Sequence, residues 1–136
     1  MGLAERKERE KVELKSQILD AARTLLLSHG QDGLSIRKIA EVIEYSPATI
    51  YLYFSDKDDI LHELMEIGFG VMNEYMKNAY TETDPVQRIY KIGHAYITFG
   101  LENKDWYELM FNSDKPMKHI EKCRKIGMKV CLCLVF

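Results

Sequence analysis

Two short helical patterns separated by only two residues constrain this chain more than any other feature of its sequence. The first has apolar residues at i, i+3, i+4 and i+7, the spacing of one face of an α-helix, and they are Ile36, Ile39, Ala40 and Ile43. Ser35 precedes them and can cap the first turn, because a serine hydroxyl accepts from the free N–H groups there. Ser46 and Pro47 open the second pattern, since proline at the first helical position loses no hydrogen bond. Only Glu44 and Tyr45 lie between, so the spacing predicts a helix-turn-helix unit.

The second helix is predicted over residues 47–54. Ile50 and Phe54, at i and i+4, can anchor it to a core. Several other positions carry a hydroxyl or a small side chain, and they are Ala48, Thr49, Tyr51 and Tyr53. Hydroxyls can donate to phosphates and a small residue allows close approach to base edges, so this helix suits the major groove of DNA. The pattern alone leaves open an alternative, a solvated helix of an unrelated all-α domain with its tyrosines at the edge of the core.

These segments resemble the DNA-binding signature of the TetR family of bacterial transcriptional regulators. The resemblance is carried by Ile39-Ala40, Ser46, Thr49-Ile50-Tyr51, Tyr53-Phe54 and Lys57. It includes the preceding helix, residues 18–30, and the opening of the following one, residues 57–61. It is specific over residues 14–61, weaker to residue 112 and absent beyond. One position departs from the family, because Glu44 stands where glycine is usual, and a left-handed turn at a non-glycine residue costs ~1 kcal/mol.

The resemblance implies an all-α fold with two parts. Residues 1–56 would be a three-helix helix-turn-helix DNA-binding domain, and residues 57–136 a partial helical effector-binding and dimerisation domain. It also implies a repressor that binds a palindromic operator in double-stranded DNA as a homodimer and is released by a small-molecule effector.

The residues expected to face the operator are Ser35, Arg37, Ser46, Pro47, Ala48, Thr49, Tyr51, Tyr53 and Lys57. By correspondence with the family, those nearest the bases are Arg37, Pro47, Ala48 and Tyr51. Phosphates would be held by Tyr53, Lys57 and the hydroxyls of Ser35 and Thr49. For Lys57 an alternative stays open, a solvated lysine paired with Asp56 or Asp59.

Other start and stop signals place the flanking helices. The first helix is predicted over residues 5–29, ended by a left-handed cap at Gly30. A long helix follows over residues 57–80, with Ser55 and Asp58 as an approximate capping box. Asp84 and Pro85 open a helix over residues 86–101. Asn103 is expected to cap a last one ending at Phe111.

The charge balance is unusual for a nucleic-acid binder. The chain of 136 residues has a net charge of −2, and residues 1–57 contain nine Lys/Arg and nine Asp/Glu. Affinity for DNA must therefore come from a local arrangement of positive groups, doubled by dimerisation, since bulk charge does not supply it.

The second half is rich in aromatic and methionine side chains. Two interpretations remain open, an adaptable apolar pocket between helices and an ordinary core. The family resemblance favours the pocket.

Several functions are disfavoured by the sequence. The N-terminus is dense in charge and no apolar run approaches the ~20 residues of a membrane span, so we expect a cytoplasmic protein without membrane contact. No enzyme motif is present, and no cofactor is expected. His119 and Cys123 at i and i+4, and Cys131 with Cys133, are weak metal signals without further ligands nearby, so no metal site is expected.

The C-terminal end leaves a second hypothesis open. A basic stretch over residues 115–129 is followed by a short apolar tail, where TetR-type regulators usually continue with further helices. The alternative function is therefore a truncated helical interaction module without independent operator binding.

Overall fold

The computed structural model describes residues 2–111, and these form an all-α structure without a strand, as the sequence predicts. The α-helices are α1 Leu3–His29, α2 Ile36–Ile43, α3 Pro47–Tyr51, α4 Lys57–Tyr80, α5 Pro85–Glu102 and α6 Lys104–Phe111. A single 3₁₀ turn, Gln31–Gly33, joins α1 to α2. No helix within residues 2–111 combines the length and apolarity needed to cross a bilayer.

The prediction was wrong about the end of α3. The helix stops at Tyr51 and not at residue 54. The N–H groups of Leu52 and Tyr53 bond to the carbonyls three residues back, at 3.2 and 2.9 Å, so the last turn tightens. Phe54 still donates to the Ile50 carbonyl at 3.1 Å, and its side chain turns into the core. The other bounds agree with the prediction within two residues.

The backbone divides into two compact units, and the division falls after Glu63, inside α4. In the first unit, α1 contacts α2, and α2 contacts α3. Its fully buried large side chains are Ile18, Ile39, Ile50 and Ile60, one from each of α1, α2, α3 and α4. The first helix therefore supports the α2–α3 pair, as expected. The functional boundary between residues 56 and 57 stays a prediction.

The second unit, from Leu64 on, has a core of sulfur and aromatic side chains. Met72, Met76, Phe99 and Trp106 are buried there, so these residues fill a core. A β-carbon built on Gly68 would lie 2.7 Å from the Met110 sulfur, which shows how closely α6 approaches α4. The Asn103 side-chain amide donates to the Tyr75 hydroxyl at 2.9 Å and the Phe99 carbonyl at 3.3 Å, and its backbone carbonyl accepts from the Tyr107 N–H at 3.0 Å.

Two of the residues in the range 2–111 have a positive φ, and both end helices. Gly30 has φ 69° and ψ −174°. The predicted left-handed helical cap is wrong in ψ, and this region of backbone space is essentially restricted to glycine. Glu44 has φ 60° and ψ 39°, the left-handed conformation expected at that position. The N–H of Tyr45 bonds to the Ala40 carbonyl at 3.0 Å and that of Glu44 to the Glu41 carbonyl at 3.4 Å, the two bonds of a Schellman motif.

Replacing Glu44 by glycine should raise the free energy of unfolding by about 0.5–1 kcal/mol. A side chain in this conformation costs roughly 1–2 kcal/mol, and the greater freedom of a glycine in the unfolded chain removes part of the gain. Urea unfolding followed by circular dichroism measures the change. As a control, Glu41→Gly inside α2 should lower the stability, because glycine there adds only flexibility. If both variants lose stability, the conformation of Glu44 is not strained.

Candidate nucleic-acid interface

The start of α2 is fixed by Ser35. Its backbone is extended and its Oγ accepts from the N–H of Lys38 at 3.2 Å, which confirms the predicted cap. A hydroxyl has one hydrogen to donate in addition to its acceptor lone pairs. The half-buried Ser35 can therefore cap the helix and still donate to an outside acceptor such as a phosphate.

The start of α3 is fixed by Ser46 and Pro47. Ser46 Oγ accepts from the Thr49 N–H at 3.4 Å and lies 3.0 Å from the Thr49 hydroxyl. Pro47 occupies the first turn, as predicted. Ser46 and Thr49 are thus brought into direct contact, and one hydroxyl proton is used between them. The pair can present one hydroxyl proton outward.

The buried side of α3 is formed by the predicted anchors. Ile50 is 0% exposed and Phe54 is 5% exposed. Tyr51 is 56% exposed, Pro47 and Ala48 are exposed as well, and Thr49 and Tyr53 are half-buried. No predicted site residue is buried, so α3 shows its polar and small side chains to solvent.

Lys15 holds the segment that follows α3. Its Nζ lies 2.6 Å from a Glu63 carboxylate oxygen and 5.7 Å from the centre of the Phe54 ring. The ammonium group therefore joins α1 to α4 while it covers the ring of the second anchor. The sequence signals did not identify this contact, because its partners are far apart along the chain.

Arg37 is available for an outside partner. It lies on the exposed side of α2, with Nε 3.4 Å from a Glu41 carboxylate oxygen. Both side chains are mostly exposed. An exposed ion pair of this kind contributes little stability, so Arg37 can exchange Glu41 for a phosphate or a base at low cost.

The start of α4 differs from the predicted capping box by one residue. Asp56 Oδ1 accepts from the Asp59 N–H at 3.1 Å, and Asp59 Oδ2 accepts from the Ser55 N–H at 3.0 Å. The predicted Ser55–Asp58 box is therefore wrong; the carboxylate of Asp56 caps the helix instead. Lys57 is exposed, and the alternative of pairing with Asp56 or Asp59 stays a prediction.

The sequence reasoning missed one exposed side chain on this surface. Leu52 is 83% exposed and follows α3 directly. The helical period could have identified it, because residue 52 lies about 200° around a helix from residue 50, on the side opposite the anchor.

Metal binding has no candidate in the described part of the chain. Residues 2–111 contain no group of three or more His, Cys, Asp and Glu side chains arranged for an ion. The weak signals of the sequence, His119, Cys123, Cys131 and Cys133, lie outside the described residues.

Comparisons with known proteins agree with this geometry. Residues 18–64 match the family described as bacterial regulatory proteins, tetR family. A Haemophilus influenzae protein described as an uncharacterized HTH-type transcriptional regulator is 29% identical over 121 residues, which cover 84% of this chain and 65% of the relative. The Staphylococcus epidermidis protein described as the biofilm operon icaADBC HTH-type negative transcriptional regulator IcaR is 21% identical over 84 residues, 62% of this chain and 45% of the relative.

Solved structures share the fold. A TetR family transcription regulator from Marinobacter aquaeolei VT8 superposes with a TM-score of 0.71 at 18% identity, covering 93% of this chain and 69% of that chain. The chain spans between about half and two thirds of the length of the first curated relatives it matches, at 65%, 61% and 52%.

Substituting Ser46 tests whether its cap holds the start of α3. Ser46→Ala should lower the free energy of unfolding by about 1 kcal/mol, because the Thr49 N–H and hydroxyl both lose a partner. Ser46→Asp should retain the stability, since aspartate caps as well as serine and its charge suits a helix N-terminus. Urea unfolding of the three proteins measures the difference. Equal losses in both variants would show that the cap does not stabilise α3.

Proposed function

This chain belongs to the TetR family of bacterial regulatory proteins, and we propose that it is a transcriptional repressor that binds a palindromic DNA operator as a homodimer. The observation that carries the proposal is the capped, five-residue α3, which buries Ile50 and leaves its opposite side exposed. A short helix held in this way can enter a major groove without displacing its own core. A bacterial operator lies in the cytoplasm, so the proposal places the protein there.

The residues near the bases are those that α2 and α3 expose. Tyr51 and Arg37 offer a hydroxyl and a guanidinium that are free to reach base edges, and Pro47 and Ala48 are small enough to let the backbone approach. The support for this assignment is their exposure on one unit together with the family correspondence.

Phosphate contacts are assigned to four other side chains. Lys57 is exposed at the first position of α4, where its ammonium group can reach a phosphate. Ser35, Thr49 and Tyr53 add hydroxyl donors. These donors contact phosphates through hydrogen bonds and one positive charge, so the proposed binding does not depend on the net charge of residues 1–57.

Dimerisation follows from the size of α3. A helix of five residues buries less surface than even a single specific DNA-binding module, about 600–1,000 Å². Two copies on a palindrome double the contacts and explain how specific binding is reached. The chain also has apolar surface for a second subunit, because one face of α5 exposes Val86, Ile89, Tyr90, Ile97 and Leu101.

Repression and its release complete the proposal. IcaR is described as a negative regulator, which supports repression for a related chain. In the second unit, an open cleft of about 540 Å³ is lined by Tyr75, Tyr90, Lys91, His94 and Thr98 among others, and a small-molecule effector could bind there. In one conformation of the dimer, the spacing of the two α3 helices would match the half-sites, and in another it would not. An effector that binds better to the second conformation releases DNA by that difference in affinity.

In vitro selection of bound DNA from a random library tests the proposal. We expect a palindromic consensus whose half-sites are one helical turn apart. Recovery of sequences without a consensus, at every salt concentration tested, would overturn operator binding.

Alanine substitutions should separate base contacts from phosphate contacts on the selected operator. Lys57→Ala should weaken binding to all sequences alike and reduce the slope of log K against log salt by about 1 per lost contact. Tyr51→Ala should relax specificity at one position per half-site, by about 1–3 kcal/mol. Fluorescence anisotropy titrations over a range of salt measure both effects.

Lys104→Ala serves as the control, because this lysine is exposed on the second unit and is assigned no role in DNA binding. Unchanged affinity in both the Lys57 and Tyr51 variants would mean that another surface faces DNA.

A helical interaction module without operator binding is the second candidate, and the exposed apolar face of α5 favours it. Sedimentation velocity separates the two. If α5 pairs the subunits, Ile89→Asp should convert a dimer into a monomer, because a carboxylate would be buried without a partner. Gln87→Asp, which adds the same charge at a polar position of the same helix, should leave the dimer intact. A wild-type protein that is strictly monomeric at micromolar concentration would favour the interaction module.

A further inference from the structure

Leu52 is a large apolar side chain that the fold leaves in water. It is 83% exposed, more than any other large hydrophobic residue between α2 and α4, whereas Ile50 two positions earlier is 0% exposed. Isolated apolar residues on a surface are common and need no explanation. Leu52 is distinguished by its position, because it directly follows the last residue of α3.

The backbone of Leu52 keeps the direction of α3. It has φ −70° and ψ −21°, the values of a 3₁₀ turn, so the chain continues in the same right-handed sense for one residue beyond α3. Successive residues are turned by about 100° in an α-helix and about 120° in a 3₁₀ turn, which places Leu52 about 200–240° and Ala48 about 160° from the buried Ile50. Ala48 and Leu52, at i and i+4, therefore form the outermost ridge of α3, defined here as the reading ridge.

The reading ridge carries no hydrogen-bonding side chain. Of the groups on base edges in the major groove, only the C5-methyl of thymine is apolar. The leucine side chain neither donates nor accepts a hydrogen bond, so its favourable contact in the groove is with that methyl group. The contact removes water from the apolar surfaces of both groups. We propose that Leu52 contacts a thymine methyl and thereby specifies an A·T pair in each half-site, an inference that rests on the proposed binding of DNA by α3.

Deoxyuridine substitution in the selected operator tests this contact. Uracil lacks only the methyl group of thymine and keeps every hydrogen-bonding group, so each thymine can be replaced singly without altering the pairing. For the wild-type protein, one position per half-site should lose about fourfold in affinity, the value of one buried methyl-sized group. The other positions should lose less.

The same measurement on variants assigns the effect to the side chain. Leu52→Ala should bind the thymine and uracil operators equally well at that position, and Leu52→Met should retain the preference for thymine. Because Leu52 is exposed, neither change leaves a cavity, and thermal unfolding verifies that the variants are folded. Leu3→Ala shortens a similarly exposed leucine at the start of α1, which is assigned no role in DNA binding or dimerisation, and should retain the full preference.

The possible failures are distinct. If no consensus is selected, operator binding itself fails, and this inference falls with it. If a consensus is selected but no thymine responds to loss of its methyl, or if Leu52→Ala keeps the response, the role of Leu52 is refuted while operator binding by α3 stands.

Discussion

The burial of Ile50 and Phe54 is the interaction on which the rest of the first unit depends. A helix of five residues has no stability of its own, because the first turn fixes several dihedral angles for a single hydrogen bond. Full burial of each side chain contributes roughly 1.5–3 kcal/mol, so the two together exceed the roughly 0.5–2 kcal/mol that a single cap supplies. The two anchors therefore decide which side of α3 is outside, and Lys15 covers the second anchor from α1.

The same magnitudes explain why the turn tolerates Glu44. A left-handed residue with a side chain costs about 1–2 kcal/mol, less than the two anchors contribute together. The connection from α2 to α3 is too short to absorb a change of direction elsewhere. The chain keeps the Schellman geometry and its two hydrogen bonds in spite of the strain, because the alternative would withdraw Ile50 from the core.

Local signals predicted helix starts well and tertiary contacts poorly. Ser35, Ser46 and the Asp84–Pro85 pair each have a capping side chain followed by an apolar pattern, and the helices begin there. The end of α3 has no such signal, because it is set by Phe54 turning into the core. The sequence did not indicate which residue caps α4, because several residues of the capping type lie close together, namely Ser55, Asp56, Asp58 and Asp59. The all-α class and the exposure of the site residues were predictable, whereas the contacts of Lys15 and the outward position of Leu52 were not read from the sequence.

The balance of positive and negative charge affects how well the proposed interface would distinguish its operator from other DNA sequences. Acidic groups lie close to its cations, with Glu41 beside Arg37 and a carboxylate cap next to Lys57. The proposed interface would therefore neutralise few phosphates, and its binding to arbitrary DNA, which depends on that neutralisation, would be weak. In the proposed interface, a larger share of the binding free energy would then come from short-range contacts of Tyr51 and its neighbours with base edges. Because those contacts exist only on the matching sequence, a charge-poor interface of this kind gives up overall affinity and gains in the ratio of specific to non-specific binding.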